Sequence, residues 1–280
     1  MGNITTEYNK TMPVTSVTSG IGLEVTKDVF CLPVQIVNVC FIGNPTTSNT
    51  FVLIDAGMPN SAEIIIREAE ERFGQNCRAE AIILTHGHFD HVGAVLELTE
   101  KWNTTVYAHS LELPYLTGKA DYPPADPEAD SGMIAKMSPI FPRHSINLKN
   151  HIRALPDNGR VPELKDWRWI HTPGHTPGHI SLFREGDRFL IAGDAFTTVK
   201  QESLFKVVTQ QPELNGPPAY FTPDWKAASH SVKQLAELNP WSAVTGHGRP
   251  MSGEELTAGL QTLAANFDKT EIPKQGRYTH

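Results

Sequence analysis

The spacing of apolar residues divides the first part of the chain into strands and helices. Apolar residues that alternate or run together are typical of strands, and apolar residues three and four positions apart are typical of helices. Ser61 can cap one such helix, Glu63 lies in its first turn, and Gly74 can end it. In order, the pattern predicts two or three antiparallel strands within 22–43, a strand at 50–54, a helix at 61–73, a strand at 79–84, a helix at about 92–102 and a strand at 105–108. This alternation predicts a mixed sheet with helices on its face.

The same alternation returns in the second half of the chain. Thr222, Pro223 and Asp224 are typical of a helix start, with Thr222 as the predicted cap, and Ser252 is predicted to cap the last helix. In order, the pattern predicts strands at 167–170, 180–183 and 188–193, an irregular segment at 196–220, a helix to about 238, a strand at 241–245 and a helix to about 267. Since no repeat and no linker interrupts these elements, a single domain is expected.

The domain is predicted to cover 21–268, after a flexible leader at 1–20 and before a polar tail at 269–280. The segment 112–159 departs from the pattern and is interpreted as an insert. Its sequence YPPADP at 122–127 is incompatible with regular structure, whereas its apolar residues favour a packed, partly helical insert. Long inserts of this kind often serve as lids over a functional site.

Composition and charge exclude several classes of function. The formal net charge of -7 does not suit a nucleic-acid partner, which requires a basic face. The chain has no apolar run of the roughly 20 residues that cross a bilayer, so no membrane partner is expected. The three cysteines have no disulfide-like spacing and are interpreted as reduced thiols, Cys31 and Cys40 within core strands. We therefore expect a cytoplasmic protein.

Polar residues with metal-binding chemistry follow the ends of several predicted strands. The sequence HGHFDH at 86–91 directly follows the apolar run 81–84, and His175, Asp194 and His247 occupy equivalent places after later strands. Because ligands of α/β sheets gather outside strand ends, these loops are expected to converge. Together they offer five histidines and two aspartates, which is more than one metal ion uses. Two divalent ions that share a bridging carboxylate would use them all.

The order of these elements resembles the metallo-β-lactamase superfamily, whose signature is H-x-H-x-D-H followed by isolated His, Asp and His. The three later elements correspond to PGHTPGH at 173–179, AGD at 192–194 and GHG at 246–248. The strand-end sequence DAG at 55–57 matches a further family element, and the resemblance extends from about residue 20 to 268. It implies an αββα sandwich, an α/β fold with two sheets between layers of helices and a metal site at its edge.

The resemblance also implies a role for each residue of the motif. The first metal would be held by His86, His88 and His175, the second by Asp90, His91 and His247, and Asp194 would bridge them. Zinc is expected, with iron or manganese as alternatives. A hydroxide between the two ions would attack an ester-like carbonyl or a phosphoryl group, and Asp90 would orient it and pass a proton to the leaving group. Asp55 and His179 would be outer hydrogen-bond partners of these ligands.

Differences from the family's better-known members reduce the number of reactions that this chain is expected to catalyse. Asp194 stands where family β-lactamases lack an aspartate, and the basic and tyrosine pattern of glyoxalase II is missing, as are the basic surfaces of the nucleases. Flavin-linked di-iron relatives have a glutamate where His88 stands. Lactonases of the family share the complete ligand set and use a tyrosine near the bridging aspartate. Tyr220, Tyr115 and Tyr122 are the candidates for that tyrosine here.

Three hypotheses follow from the sequence. The leading one is a dinuclear hydrolase of a small ester, thioester or lactone, with a small-molecule substrate and a homodimer as one possible assembly. The second is another metal chemistry: a mononuclear iron oxygenase similar to persulfide dioxygenases, or a phosphodiesterase. The third is a non-enzymatic scaffold, and the intact ligand set argues against it.

Overall fold

The computed structural model of the protein describes residues 14–279. Its strands are β1 Leu23–Thr26, β2 Val29–Val34, β3 Val37–Ile42, β4 Thr50–Ile54, β5 Arg78–Ile83, β6 Thr105–Ala108, β7 Ile152–Ala154, β8 Arg160–Val161, β9 Leu164–His171, β10 Ile180–Arg184, β11 Phe189–Gly193, β12 Ser242–Thr245 and β13 Met251–Ser252. Its α-helices are α1 Ala62–Phe73, α2 Val95–Trp102, α3 Leu113–Leu116, α4 Met133–Met137, α5 Leu204–Thr209, α6 Trp225–Glu237 and α7 Gly253–Thr270.

The strands form two mixed sheets. The first sheet has the order β1-β2-β3-β4-β5-β6-β7, antiparallel up to β4 and parallel from β4 onward. The second has the order β13-β12-β11-β10-β9-β8, in which only β11 and β12 are parallel. The parallel pairs direct the ends of β4, β5, β11 and β12 toward the loops that carry the polar motifs.

Three apolar layers hold the sheets and helices together. In β4, Phe51 and Leu53 pack with helices α1 and α2, whereas Val52 and Ile54 face the second sheet. This division follows from the alternation of side chains along a strand. The outer face of the second sheet packs against α6 and α7. The order of layers is therefore helix, sheet, sheet, helix, and the predicted αββα sandwich is confirmed.

The insert is folded. The segment 112–159 contains α3, α4, two short 3-10 turns and β7, which pairs with β6 of the first sheet. The sequence signal for β7 was weak because Ile152 is its only large apolar residue. Along the predicted tail, α7 continues to Thr270 and the chain then turns back onto the insert, where the backbone N–H of Arg277 donates to Asp126.

The described part of the predicted leader is also packed. Val14 and Ser16 are buried, and the N–H groups of Ser16 and Val17 donate to the carbonyls of Gln35 and Val208. Backbone hydrogen bonds therefore hold residues 16 and 17 of the predicted leader against the domain, and residues 1–13 lie outside the described part of the chain.

Four helix starts differ from their predictions. The cap of α6 is Asp224, which accepts from the N–H of Ala227, and not Thr222. Helix α2 begins at Val95, three residues later than predicted. The side chains of Ser61 and Ser252 precede α1 and α7 but accept no capping hydrogen bond. Between residues 14 and 279, no helix combines the length and the apolar character that crossing a membrane requires.

Candidate metal centre

Four strand ends and one loop converge at one edge of the sandwich. The N–H of Gly246, after β12, donates to the carbonyl of Gly193 at the end of β11, at 2.8 Å. The N–H of Ile180 donates to the carbonyl of Thr85, at 2.9 Å, and connects the loop after β5 to the second sheet. The N–H of Asn38 donates to the carbonyl of Gly246. Backbone hydrogen bonds within the second sheet and between the two sheets therefore fix the loops that carry the polar motifs.

The structure brings together all seven residues that the sequence nominated as metal ligands. Three groups of side chains have potential ligand atoms within 4.8 Å of one another: His86, His88 and His175; His86, His91 and Asp194; and Asp90, His91 and His247. Two of these groups have the composition expected for the first and second metal.

Asp194 lies between the two expected sites. Its Oδ2 is 3.4 Å from Nε2 of His175 and 3.3 Å from Nε2 of His247, while its Oδ1 is 3.6 Å from Nε2 of His91. The carboxylate therefore faces histidines of both groups, which is the geometry that a bridging ligand requires.

The buried atoms of this cluster fit divalent metal ions. Asp194 and His91 are 2% and 0% exposed, and both Oδ1 of Asp194 and Nε2 of His91 are buried without a hydrogen-bond partner. Leaving such atoms unpaired is costly, and a metal ion would satisfy both. The carboxylates of Asp55, Asp90 and Asp194 are also buried together and need compensating positive charge.

In four of the five ligand histidines, the ring nitrogen that faces away from the cluster contacts another group of the protein. Nδ1 of His91 lies 2.8 Å from Oδ2 of Asp55, and Nδ1 of His247 lies 2.8 Å from the carbonyl of Ile36. Threonine hydroxyls contact the other two rings: Thr85 Oγ1 is 3.1 Å from Nδ1 of His86, and Thr222 Oγ1 is 3.3 Å from Nδ1 of His175. Such contacts fix the orientation of a metal-binding ring and leave its other nitrogen free.

His179 holds the backbone next to Asp194. Its Nε2 accepts from the N–H of Asp194 at 2.8 Å, and its Nδ1 lies 3.1 Å from the carbonyl of Thr172. Burial lowers the pKa of His179 to about 3, so the ring is neutral and can accept at Nε2. Because Nε2 is used in this way, His179 acts on the position of Asp194.

Electrostatics divide the histidines of the metal-free protein into two kinds. Burial lowers the pKa of His88 to about 4 and the pKa values of His86 and His175 well below the ordinary range. Burial would also lower the pKa of His247, but Asp194 and Asp90 outweigh it and raise that pKa to about 10. The pKa of His91 is raised in the same way, against burial, mainly by Asp194 and Asp55. The cluster thus attracts cations, and a metal ion would displace protons from His91 and His247.

A buried glutamate that the sequence analysis missed connects the loop that carries His86 and His88 with the loop that carries His175. Glu112 is 0% exposed. Its Oε2 accepts from the N–H of Gly87 at 3.0 Å, and its Oε1 accepts from the hydroxyl of Thr176 at 2.7 Å and the N–H of Gly178 at 2.8 Å. The hydroxyl of Tyr122 also donates to Oε2. Nothing in the local sequence signalled this role, because the partners lie 10 to 66 positions away.

Replacing Glu112 with glutamine is expected to weaken metal binding. The glutamine amide has one oxygen and one NH2 group, and the NH2 group cannot accept a hydrogen bond from the N–H and O–H groups that now donate to the carboxylate. Because these bonds join the loops of His86 and His175, the loops would separate. By analogy with other outer contacts of metal ligands, we expect a loss of metal affinity of about 10- to 100-fold. Competition with a chromogenic zinc chelator measures it. Glu100→Gln, an exposed position on α2, is the matched control, and equal zinc affinity of both variants would refute the role of Glu112.

The three candidate tyrosines occupy different positions. Tyr220 is buried, and burial, followed by the negative charges of Glu202, Asp90 and Asp194, raises its pKa well above the ordinary value. The ring of Tyr122 lies 4.5 Å from the ring of His88, but its hydroxyl is used by Glu112. Tyr115 stacks on Tyr122 at 4.0 Å and is one layer further from His88. Of the three, Tyr220 is the one whose pKa is raised by the charges of Asp90 and Asp194.

Comparisons with known proteins agree with this geometry. The sequence model described as the metallo-beta-lactamase superfamily matches residues 32–247. The chain is 57% identical over 253 residues to the probable metallo-hydrolase YflN of Bacillus subtilis strain 168, covering 90% of this chain and 96% of that protein. It is 27% identical over 142 residues to the hydroxyacylglutathione hydrolase GloC of Haemophilus influenzae, covering 51% of this chain and 59% of the relative.

Solved structures resemble the whole fold. An archaeal metallo-beta-lactamase superfamily protein, ST1585 from Sulfolobus tokodaii, superimposes with a TM-score of 0.58 at 20% identity, covering 96% of this chain and 90% of the other. TTHA1623, solved in a di-iron-bound form, superimposes with a TM-score of 0.51 at 24% identity, covering 84% of this chain and 93% of the other. At these identities the likeness shows the fold alone. The match over 32–247, together with the His and Asp cluster, shows that the chain belongs to the metallo-beta-lactamase superfamily and is a metal-dependent hydrolase by family.

Proposed function

We propose that the protein is a dinuclear metal-dependent hydrolase that cleaves a small ester, thioester or lactone. The observation that carries this proposal is the position of Asp194 between two groups of ligands, with Oδ2 3.4 Å from Nε2 of His175 and 3.3 Å from Nε2 of His247. One metal ion cannot use both groups, whereas two ions sharing Asp194 would use all seven residues. His86, His88 and His175 would hold one ion, and Asp90, His91 and His247 the other.

Two divalent ions bound there would supply Lewis-acid activation of water and of the substrate carbonyl. Burial would raise the pKa of Asp90, but the nearby His91 and His247 outweigh it and keep that pKa below its ordinary value. Asp90 therefore remains ionised, and its oxygen can accept a proton from the attacking water and return it to the leaving group. The hydroxyl of Tyr220 stays protonated and can donate to the carbonyl oxygen as negative charge develops there.

Relatives support an acyl substrate more than a phosphoryl one. The hydroxyacylglutathione hydrolase GloC, similar over about half of this chain, is named for a thioester reaction. The cavity beside His88 is lined by no arginine or lysine among the described residues, and a phosphodiester would need such a partner. We propose zinc as the metal. Iron is the main alternative, because TTHA1623 has been solved in a di-iron form.

A panel of substrates with metal analysis tests the proposal. Protein loaded with zinc, iron or manganese is assayed on lactones, aryl esters, thioesters including lactoylglutathione, phosphodiesters and glutathione persulfide. We expect hydrolysis of at least one acyl class, abolished by His88→Ala, which removes a ligand. One iron per chain together with oxygen uptake on the persulfide would favour the oxygenase and refute the hydrolase. Cleavage of the phosphodiester alone would favour a phosphodiesterase.

The remaining expectations belong to the same proposal. We propose a small-molecule substrate, no nucleic-acid or membrane partner, and a cytoplasmic location, in agreement with the net charge of -7 and three buried free thiols. A homodimer is the assembly to be tested, by light scattering of the metal-loaded protein.

A further inference from the structure

A narrow apolar cavity lies directly on the first group of ligands. Its volume is about 10 Å³, and its lining includes the rings of His88 and His175. The other lining residues are Tyr122, Pro123, Pro124, Pro177, Phe221, Pro223 and Tyr278. The ring of Phe221 lies 4.8 Å from the ring of His88. A space of this size accommodates about one water molecule, so a substrate enters only if part of the wall moves.

The wall is built from segments that are far apart in sequence. Pro123 and Pro124 belong to the insert, Phe221 and Pro223 precede α6, and Tyr278 lies beyond the last helix. Apart from the two imidazoles, none of these side chains can carry positive or negative charge at neutral pH. Prolines and aromatic rings offer apolar contact and no partner for a carboxylate or phosphate. Such a wall favours an uncharged group over an anion.

The segment 276–279 is attached to the insert by a few hydrogen bonds. The N–H of Arg277 donates to Oδ2 of Asp126 at 2.5 Å, and the hydroxyl of Tyr278 donates to the carbonyl of Pro124 at 2.6 Å. The guanidinium of Arg277 reaches the carbonyls of Pro124 and Ala125 at 3.5 and 3.4 Å. Gly276 has a φ of +132°, and a side chain there would lie 2.3 Å from Oδ2 of Asp126. A glycine is thus required where the segment crosses the insert.

This attachment is weaker than that of Tyr122, another part of the cavity wall. Residues 276–279 belong to no helix or strand, Arg277 is exposed and Tyr278 is half-buried. Tyr122, in contrast, is buried and held by Glu112, Gly87 and the ring of Tyr115. Segments with few buried contacts open at the lowest free energy. Segment 276–279 can therefore move without displacing Tyr122.

We propose that segment 276–279 is a strap that closes the substrate pocket, that Tyr278 limits the size of the group bound beside His88 and His175, and that this group is uncharged and apolar. The inference rests on the proposed function, since it treats the space beside the ligands as the place of the acyl group. It names the substrate class within that function: an ester, thioester or lactone with an apolar acyl or ring substituent.

Thiols that bind a metal test the strap without requiring catalysis. The protein is loaded with cobalt, and dissociation constants are read from the thiolate absorption band for methanethiol, phenylmethanethiol and 4-(mercaptomethyl)benzoate. The last two share one ring and differ by a carboxylate. In the wild type, phenylmethanethiol is expected to bind at least about tenfold more tightly than its carboxylate analogue, because the wall offers the anion no partner.

Two variants remove the strap in different ways. Tyr278→Ala deletes the ring, and a chain ending at Gln275 lacks the whole segment. If one variant fails to fold, the other can still be measured. In both, the ratio of the dissociation constants of phenylmethanethiol and methanethiol is expected to fall by about tenfold. Lys274→Ala, exposed in the same tail and not in the cavity wall, is the control and should keep the wild-type ratio.

The outcomes separate the strap from the reaction. An equal ratio in wild type and both variants overturns the strap, and tighter binding of the carboxylate thiol overturns the apolar pocket, even if esters are hydrolysed. If the thiols follow the expected order but no acyl substrate is cleaved, the pocket stands and the proposed hydrolysis fails. If cleavage occurs, Tyr278→Ala should raise kcat/KM for bulky apolar esters relative to acetyl esters.

Discussion

Replacing Asp194 with asparagine is expected to remove nearly all activity and at least one metal ion per chain. The amide has almost the shape of the carboxylate, so the fold is retained, but it carries no negative charge to face His91, His175 and His247. Replacing an outer contact of a metal ligand usually costs 10- to 100-fold, and a bridging ligand contributes to both ions. We therefore expect kcat to fall by more than about 100-fold. Metal analysis after dialysis and steady-state kinetics measure the two effects.

The matched control is Asp166→Asn, which removes an exposed carboxylate from β9. It should keep the metal content and the rate of the wild type. If Asp194→Asn also keeps both, Asp194 is not a bridging ligand and the assignment of two sites is wrong.

A single methyl group next to Asp194 is expected to disrupt the centre although no ligand is replaced. In Gly246→Ala, the new Cβ would lie 1.9 Å from Oδ1 of Asp194 and 2.7 Å from Cε1 of His91. These atoms belong to buried side chains fixed by other contacts, so the strain cannot be relieved at the surface. Overpacking of this kind costs typically ~1–3 kcal/mol, and here it also displaces two ligands. We expect a lower thermal midpoint and loss of the second metal ion.

Gly186→Ala is the control for this substitution, because a Cβ there would meet nothing within 4 Å. It should leave the thermal midpoint and the metal content unchanged. Full metal occupancy in Gly246→Ala would show that the contact between Gly246 and Asp194 can relax. The prediction that a Cβ at position 246 displaces Asp194 and His91 would then be wrong.

The fold and the gathering of the metal ligands could be predicted from the sequence because their signals are local. Alternating apolar residues mark strands such as Thr50–Ile54, and each ligand follows a strand end. Because β11 and β12 are parallel neighbours, their ends place Gly193 and Gly246 side by side. The resemblance to a known family supplied the order of the ligands, and the structure brings the same seven residues together.

Contacts between distant segments could not be predicted in this way. Glu112 meets Gly87, Thr176 and Gly178 only because the insert folds over two loops, and a lone glutamate in a loop carries no signal of that. Thr222 was interpreted as a helix cap because its sequence context fits one, yet its hydroxyl contacts His175. The strap at 276–279 has no periodic pattern at all. In each case, tertiary packing decided between roles that the local sequence allowed equally.

Metal stoichiometry of the purified protein tests the central claim most directly. The full chain is loaded with zinc, dialysed and analysed by inductively coupled plasma mass spectrometry, and the same samples are assayed for hydrolysis of an apolar aryl ester. The account predicts two zinc ions per chain, activity that is lost when the ions are chelated, and its recovery when zinc is restored. A single ion per chain at full activity, or hydrolysis that persists in metal-free protein, would contradict it.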